Sequence, residues 1–77
     1  MKGKFRTIKT MTIILNGSKN SSYQEPVSVN ELLSDLNIIA VPVLVELNGT
    51  ALRKSEFSST KITDGGIIEI IQVAAGG

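Results

Sequence analysis

The chain has 77 residues with neither cysteine nor histidine, so it fits a single domain stabilised by an apolar core rather than by disulfides or a structural zinc ion. Its net charge of +1 is unevenly spread, because residues 1–10 hold four of the eight basic residues and none of the seven acidic ones. Aromatic residues make up only 4% of the chain, and no apolar run approaches the roughly 18–20 residues of a membrane span, so we expect it to bind neither nucleic acid nor membranes.

The distribution of apolar residues divides the chain into three parts. Residues 1–10 lack hydrophobic periodicity and predict a disordered basic extension, with Met11 as the natural start of the domain. No linker or internal repeat interrupts residues 11–75, which predict one folded domain. Residues 76–77 predict a flexible glycine tail.

The first predicted element is a β-hairpin. Residues 12–15 are mostly β-branched, which is typical of a strand, and Asn16-Gly17 is a strong signal for a two-residue turn. We place the return strand at residues 21–24, as a polar edge strand with Tyr23 packing inward, and expect residues 18–20 to enlarge the turn.

A helix follows, and its start is specified by local chemistry. Ser28 can act as the N-cap, and Glu31 three residues later completes a capping box. The helix is predicted over residues 29–36 and presents one apolar stripe, which consists of Val29, Leu32, Leu33 and Leu36.

The second half of the chain predicts shorter elements separated by turns. They are a strand at 43–47, a turn at Asn48-Gly49, a return strand at 50–52, a helical turn at 53–57 with Phe57 toward the core, a turn at 64–66 and a buried strand at 67–73.

The element order β-β-α-β-β-β predicts the fold class. A right-handed crossover through the helix places the first and last strands side by side and parallel at the centre of the sheet. We therefore predict an α+β fold of the β-grasp type, with a mixed sheet of four to five strands and one main helix packed on one face.

Side-chain alternation predicts which residues are buried and which face outward. The expected core includes Ile13, Leu15, Leu32, Leu33, Val45, Ile68 and Ile70, and Ile14 is expected to face outward. An exposed apolar patch rimmed by acidic residues predicts a partner surface, made of Leu44, Ile71, Val73, Glu46 and Glu69. The alternative is that apolar residues simply spill over in a small domain.

With this order established, residues 11–77 resemble the ubiquitin-like sulfur carriers, and most closely the ThiS carriers of thiamine biosynthesis. The resemblance lies in an ordered set of segments, Ile13–Gly17, Val29–Leu33, Leu44–Gly49, Asp64-Gly65 and the closing Gly76-Gly77. Glycines at the end leave a terminal carboxylate that is sterically open to a partner's active site.

The resemblance implies a reaction cycle carried out by partners. A ThiF-type adenylyltransferase would use ATP and magnesium to adenylate the carboxylate of Gly77, while Gly76, Ala75 and Ala74 thread into that partner. A cysteine desulfurase would supply sulfur for a thiocarboxylate, and a ThiG-type thiazole synthase would consume it. The chain itself would bind no cofactor and no metal, and would be monomeric when free.

The residues do not predict catalysis by the chain itself. It has no histidine to serve as a general base near neutral pH, and its carboxylates are scattered singly along the sequence. We therefore expect a cosubstrate of other enzymes rather than an enzyme.

Three other functions remain open at this point. The small subunit of molybdopterin synthase shares the fold and the tail, but it usually carries Pro-Pro before its final glycines, where this chain has Ala74-Ala75. A ubiquitin-like protein modifier and a plain interaction module are the others. We expect a cytoplasmic protein, with the plastid stroma as an alternative.

Overall fold

The computed structural model describes residues 9–73, which form strands, one α-helix and one 3₁₀ turn. The strands are β1 (Ile13–Leu15), β2 (Ser18–Asn20), β3 (Val27–Ser28), β4 (Val43–Leu47), β5 (Thr50–Leu52), β6 (Lys61–Ile62) and β7 (Ile67–Gln72). Helix α1 spans Val29–Asp35, and the 3₁₀ turn spans Lys54–Glu56.

The main sheet has five strands in the order β2-β1-β7-β4-β5. The first and last of these strands in the chain, β1 and β7, are parallel neighbours at its centre, and the other pairs are antiparallel. Helix α1 covers one face. This arrangement confirms the predicted β-grasp fold. After the crossover through α1, the chain enters β4, which lies beside β7 on the side opposite β1.

The first hairpin has the predicted turn but a different return strand. Asn16 and Gly17 adopt positive φ angles of 48° and 84°, as a two-residue turn of this type requires. Pairing therefore resumes at once, with Leu15 opposite Ser18, and β2 occupies residues 18–20. The prediction of a return strand at 21–24 is wrong, because the tight turn leaves no need for the intervening residues to widen it.

A second, two-stranded sheet was not predicted. Strands β3 and β6 pair antiparallel, with Val27 opposite Ile62 and Ser28 opposite Lys61. Each strand has two residues, which is too short for side-chain alternation to reveal it. This small sheet ties the segment between the 3₁₀ turn and β7 to the residues that directly precede α1.

The start of α1 confirms the predicted capping box. The Ser28 hydroxyl accepts a hydrogen bond from the Glu31 amide at 3.0 Å, and the Glu31 carboxylate accepts one from the Ser28 amide at 2.7 Å. The second bond, with its donor on the backbone, holds the pKa of Glu31 below its usual value. The helix ends at Asp35, one residue earlier than predicted, and Asn37 takes a positive φ of 62° that reverses the chain.

The core lies between α1 and the main sheet. Its buried apolar residues are Met11, Ile13, Val29, Leu32, Leu33, Val45, Phe57, Ile62, Ile68 and Ile70. Met11 and Ile62 are fully buried, although the sequence did not place them in the core. Leu15 was expected in the core but is only half-buried, because it borders an open groove beside Leu36 and Ile38.

The ordered chain extends into the segment that was predicted to be a disordered extension. Thr10 forms a β-bridge with Gln24, and the Glu25 amide donates to the Lys9 carbonyl at 2.9 Å. The Glu25 carboxylate also accepts from the Asp64 amide at 3.0 Å and pairs with the Lys9 ammonium at 3.2 Å, and these contacts, the first foremost, lower its pKa. The first eight residues of the predicted extension lie outside the described part.

Tyr23 is expected to titrate far above an ordinary tyrosine. Its hydroxyl donates a 2.6 Å hydrogen bond to Asp35, and burial, that bond and the Asp35 charge together raise its pKa from 10.0 to about 12. The folded state therefore favours the neutral phenol, so this contribution to stability is complete below pH 10 and is lost as the pH rises toward 12. Because the chain has one tyrosine, ultraviolet absorbance of tyrosinate measures this group alone.

The matched control for this titration is Asp35→Asn, which keeps a hydrogen-bond acceptor but removes the charge. This variant should move the pKa of Tyr23 toward 10. A native chain whose tyrosine titrates at 10, as it should in denaturant, would contradict the expectation.

Candidate functional site

The outer face, defined as the side of the main sheet away from α1, carries paired apolar side chains. Leu44 of β4 and Ile71 of β7 lie directly opposite each other, and they are 61% and 56% exposed. Val73, the residue after β7, is also exposed. Adjacent large apolar side chains on an open sheet face are more typical of an interaction surface than isolated ones are.

The alternation predicted for the last strand is present in the structure. Ile68 and Ile70 are buried toward α1, whereas Glu69 and Ile71 are exposed. Val45 is buried in the same way between two exposed neighbours. A shift of one residue in the register would have put the isoleucines on the wrong side, so this pattern fixes the outer face.

One residue expected on the outer face is less exposed than predicted. Ile14 of β1 pairs with Ile67 of β7 and is half-buried, while Ile67 itself is 49% exposed. Ile14 lies between two long side chains of the neighbouring strands, because Lys19 of β2 is its partner on one side and Ile67 on the other. The apolar part of the outer face therefore continues across β7 to Ile67, a residue that the sequence did not place there.

The two acidic residues that were predicted to rim the apolar patch form a cross-strand pair between its apolar residues. Glu46 of β4 and Glu69 of β7 are directly opposite in the antiparallel register, and both are exposed. Opposed side chains in such a pair have Cβ atoms about 4.5–5.5 Å apart, so two like charges here repel each other. The sequence predicted both residues at this surface but not that they face each other.

Two asparagines hold β7 in place from its two sides. The Asn16 side chain accepts from the Ile70 amide at 2.7 Å and donates to the Ile70 carbonyl at 3.2 Å, which extends the ladder between β1 and β7. Asn48 acts similarly, because its side chain accepts from the Ile67 amide at 2.9 Å and its backbone amide donates to the Ile67 carbonyl at 2.7 Å. The sequence predicted these asparagines only as turn residues.

The last described residue is fixed to the sheet. The Val73 amide donates to the Pro42 carbonyl at 2.9 Å, so the chain is still held one residue past β7. The predicted threading residues Ala74, Ala75 and Gly76 and the predicted reactive residue Gly77 lie outside the described residues.

A groove of about 350 Å³ adjoins Val73 at the end of β7. Its lining is mostly apolar and includes one cation, and consists of Ile39, Ala40, Val41, Pro42, Val43, Leu44, Lys54, Phe57 and Val73. The apolar run from Ile38 to Val45 was the sequence signal for this groove, but such runs were compared only with the length of a membrane span.

The acidic groups of residues 9–73 do not form a metal-binding cluster. No group of three or more acidic side chains within that range is placed to hold a metal ion. Glu25, Glu31 and Asp64 accept hydrogen bonds from backbone amides, which are structural roles. None of the helical residues in the described range forms a segment long and apolar enough to cross a membrane.

The strand order, the parallel central pair and the single helix define an α+β protein of the ubiquitin-like β-grasp class. The model of the ThiS family matches residues 7–77, and the chain therefore belongs to that family. Membership supports, at the level of the family, a sulfur carrier of thiamine biosynthesis that interacts with partner enzymes.

Two solved structures agree with this assignment, and a curated relative is similar over most of its length. The crystal structure of the thiamine biosynthesis protein ThiS from Geobacter metallireducens is similar with a TM-score of 0.75 and 35% identity, over 87% of this chain and all of that one. A solution NMR structure of a thiamine biosynthesis protein from the same organism gives a TM-score of 0.72 and 36% identity, over 87% of this chain and 88% of that one. An uncharacterised protein, ycf40 of Porphyra purpurea, is 35% identical over 69 residues, which are 90% of this chain and 96% of the relative.

Proposed function

We propose that this chain carries sulfur on its C-terminal carboxylate for the synthesis of the thiazole half of thiamine. A ThiF-type adenylyltransferase activates Gly77, a cysteine desulfurase supplies sulfur, and a ThiG-type thiazole synthase accepts it. The chain is a cosubstrate with no catalytic residue and no cofactor of its own, and it acts as a monomer in the cytoplasm or, as an alternative, in the plastid stroma.

The observation that carries the proposal is the position of β7. This strand presents Ile71 on the outer face, is held by Asn16 and Asn48, and leads directly into the last five residues of the chain, 73–77. Five extended residues reach about 17 Å. A partner that grips the outer face can therefore receive the terminal carboxylate in an active site at that distance.

The chemistry explains why the end of the chain should be glycine. The Gly77 carboxylate attacks the α-phosphorus of ATP, and an acyl adenylate forms as pyrophosphate leaves. The terminal sulfur of a persulfide then displaces AMP, and a second thiol releases the thiocarboxylate as a disulfide forms. The persulfide's attack needs access to the planar carbonyl of the adenylate, which a residue without a Cβ leaves open.

An intact-mass measurement tests the proposal. The full chain is incubated with ATP, magnesium, a ThiF-type adenylyltransferase and a cysteine desulfurase with cysteine, and we expect one oxygen of the terminal carboxylate to be exchanged for sulfur. Without ATP the mass should not change. An unchanged mass in the complete mixture would contradict the carrier function, and a ladder of conjugates in cell extract would indicate a protein modifier.

A further inference from the structure

The seven carboxylate side chains fall into two groups. Five of them accept hydrogen bonds from their own chain, namely Glu25, Glu31, Asp35, Glu56 and Asp64. Among residues 9–73, Glu46 and Glu69 accept none, and the ion pair in that range is the one between Lys9 and Glu25. Within the described residues, the two carboxylates that have no internal contact are the two that face each other.

Their surroundings make this pair more than a solvated edge. Leu44 and Ile71 form the next outward-facing row on one side of it, and exposed Ile67 lies two residues away along β7 on the other. Like charges directly opposite on neighbouring strands destabilise a sheet, so the pair opposes folding. A surface that is apolar at its flanks and anionic at its centre is complementary to a partner with a cation inside an apolar patch.

Charge argues against a second copy of the chain as the occupant of this face. A two-fold interface through the outer face would place the Glu46 and Glu69 carboxylates of both copies together, and four like charges in a dehydrated interface are costly. The same argument excludes an anionic surface such as nucleic acid.

We infer that the partner enzyme places a cationic side chain between Glu46 and Glu69 when it grips the outer face. This inference rests on the proposed function, and the partner is the adenylating enzyme. A guanidinium fits the site best, because its planar fork can donate to two carboxylates at once. The apolar flanks exclude water from the pair and strengthen the attraction, so the acidic pair positions β7 and directs the tail that follows it.

The test compares the double variant Glu46→Gln/Glu69→Gln with a control that removes two charges elsewhere. Asp35→Asn/Glu56→Gln keeps acceptors for the Tyr23 hydroxyl and the Arg53 amide, and it alters net charge equally. The probe is a ThiF-type adenylyltransferase, with kcat/KM for adenylation of the full-length chain as the readout and thermal unfolding as the second measurement.

We expect the double variant to lose about 10- to 100-fold in kcat/KM, and to lose the salt dependence of this constant, while the control changes less than about twofold. The unfolding midpoint of the double variant should rise by about 1–5 °C, because the repulsion between the two carboxylates on β4 and β7 is relieved. A function lost together with a gain in stability distinguishes a docking role from a structural one.

Two results would overturn the inference and leave the carrier function standing. One is an unchanged kcat/KM in the double variant. The other is a lower unfolding midpoint, which would mean that a cation of the chain itself, such as those in residues 1–8, already stabilises the pair. If the unaltered chain is not adenylated at all, the proposed function fails and the inference fails with it.

Discussion

Deletion of Gly77 is expected to slow adenylation, and with it thiocarboxylate formation, by more than about 100-fold, without a measurable change in the unfolding midpoint. The buried core of the described residues runs from Met11 to Ile70, and Gly77 has no side chain that could add to it. One residue fewer withdraws the carboxylate by about 3.5 Å, and a misplacement of only about 1 Å can cost about 100-fold in a positioned reaction. Adenylation is measured by release of pyrophosphate, and unfolding by circular dichroism.

Two variants of the same region distinguish the effect of the position of the carboxylate from the effect of steric bulk beside it. Gly77→Ala keeps the length and adds only a Cβ beside the carbonyl, whereas one extra glycine after Gly77 keeps the open end but moves it. Both should be adenylated far more slowly than the unaltered chain. Normal pyrophosphate release from the shortened chain would contradict the requirement for Gly77.

The topology of the fold was predictable because strong local signals coincide with it. Asn16-Gly17 and Asn48-Gly49 mark hairpins through positive φ angles that asparagine and glycine tolerate, and Ser28 with Glu31 marks the helix start. Once these elements are ordered, the handedness of the crossover leaves few arrangements. The prediction of the topology therefore depended on three local sequence patterns rather than on the whole chain.

The elements that were missed have weak local signals. Strands β3 and β6 have two residues each and exist because distant segments meet, as shown by the pairing of Val27 with Ile62. The burial of Met11 also depends on a distant contact, a hydrogen bond from its amide to the Tyr23 carbonyl at 3.1 Å. Neither contact has a periodicity in the sequence.

The outer face was predictable residue by residue, but its internal geometry was not. Alternation identifies Leu44, Glu46, Glu69 and Ile71 as outward-facing, because a strand has a period of two. Register between β4 and β7 cannot be read from alternation alone, since any shift by two residues preserves it. The structure supplies the register, and with it the opposition of the two glutamates that gives the surface its charge pattern.

Ile71→Asp and Ile70→Asp are expected to have opposite consequences although the residues are neighbours. Ile71 is 56% exposed, so a charge there should cost at most about 1 kcal/mol of folding free energy, while it removes an apolar contact and lowers kcat/KM for adenylation by about 10- to 100-fold. Ile70 is 8% exposed, and a carboxylate in its place would be buried without a partner, at a cost of about 3–5 kcal/mol. A domain of this size has roughly 4–12 kcal/mol of stability in total, so this variant should lose much of that stability and unfold at a far lower urea concentration.

Urea denaturation and the adenylation assay together decide between the two roles. Ile71→Ala serves as the uncharged control, because it removes the apolar side chain without adding a third carboxylate near Glu46 and Glu69, and it should show a smaller loss of the same kind. If Ile71→Asp instead unfolds the domain, then Ile71 contributes to the core and the outer face is not a free docking surface. If it folds and is adenylated normally, the partner grips the chain elsewhere, and the groove beside Val73 becomes the next surface to test.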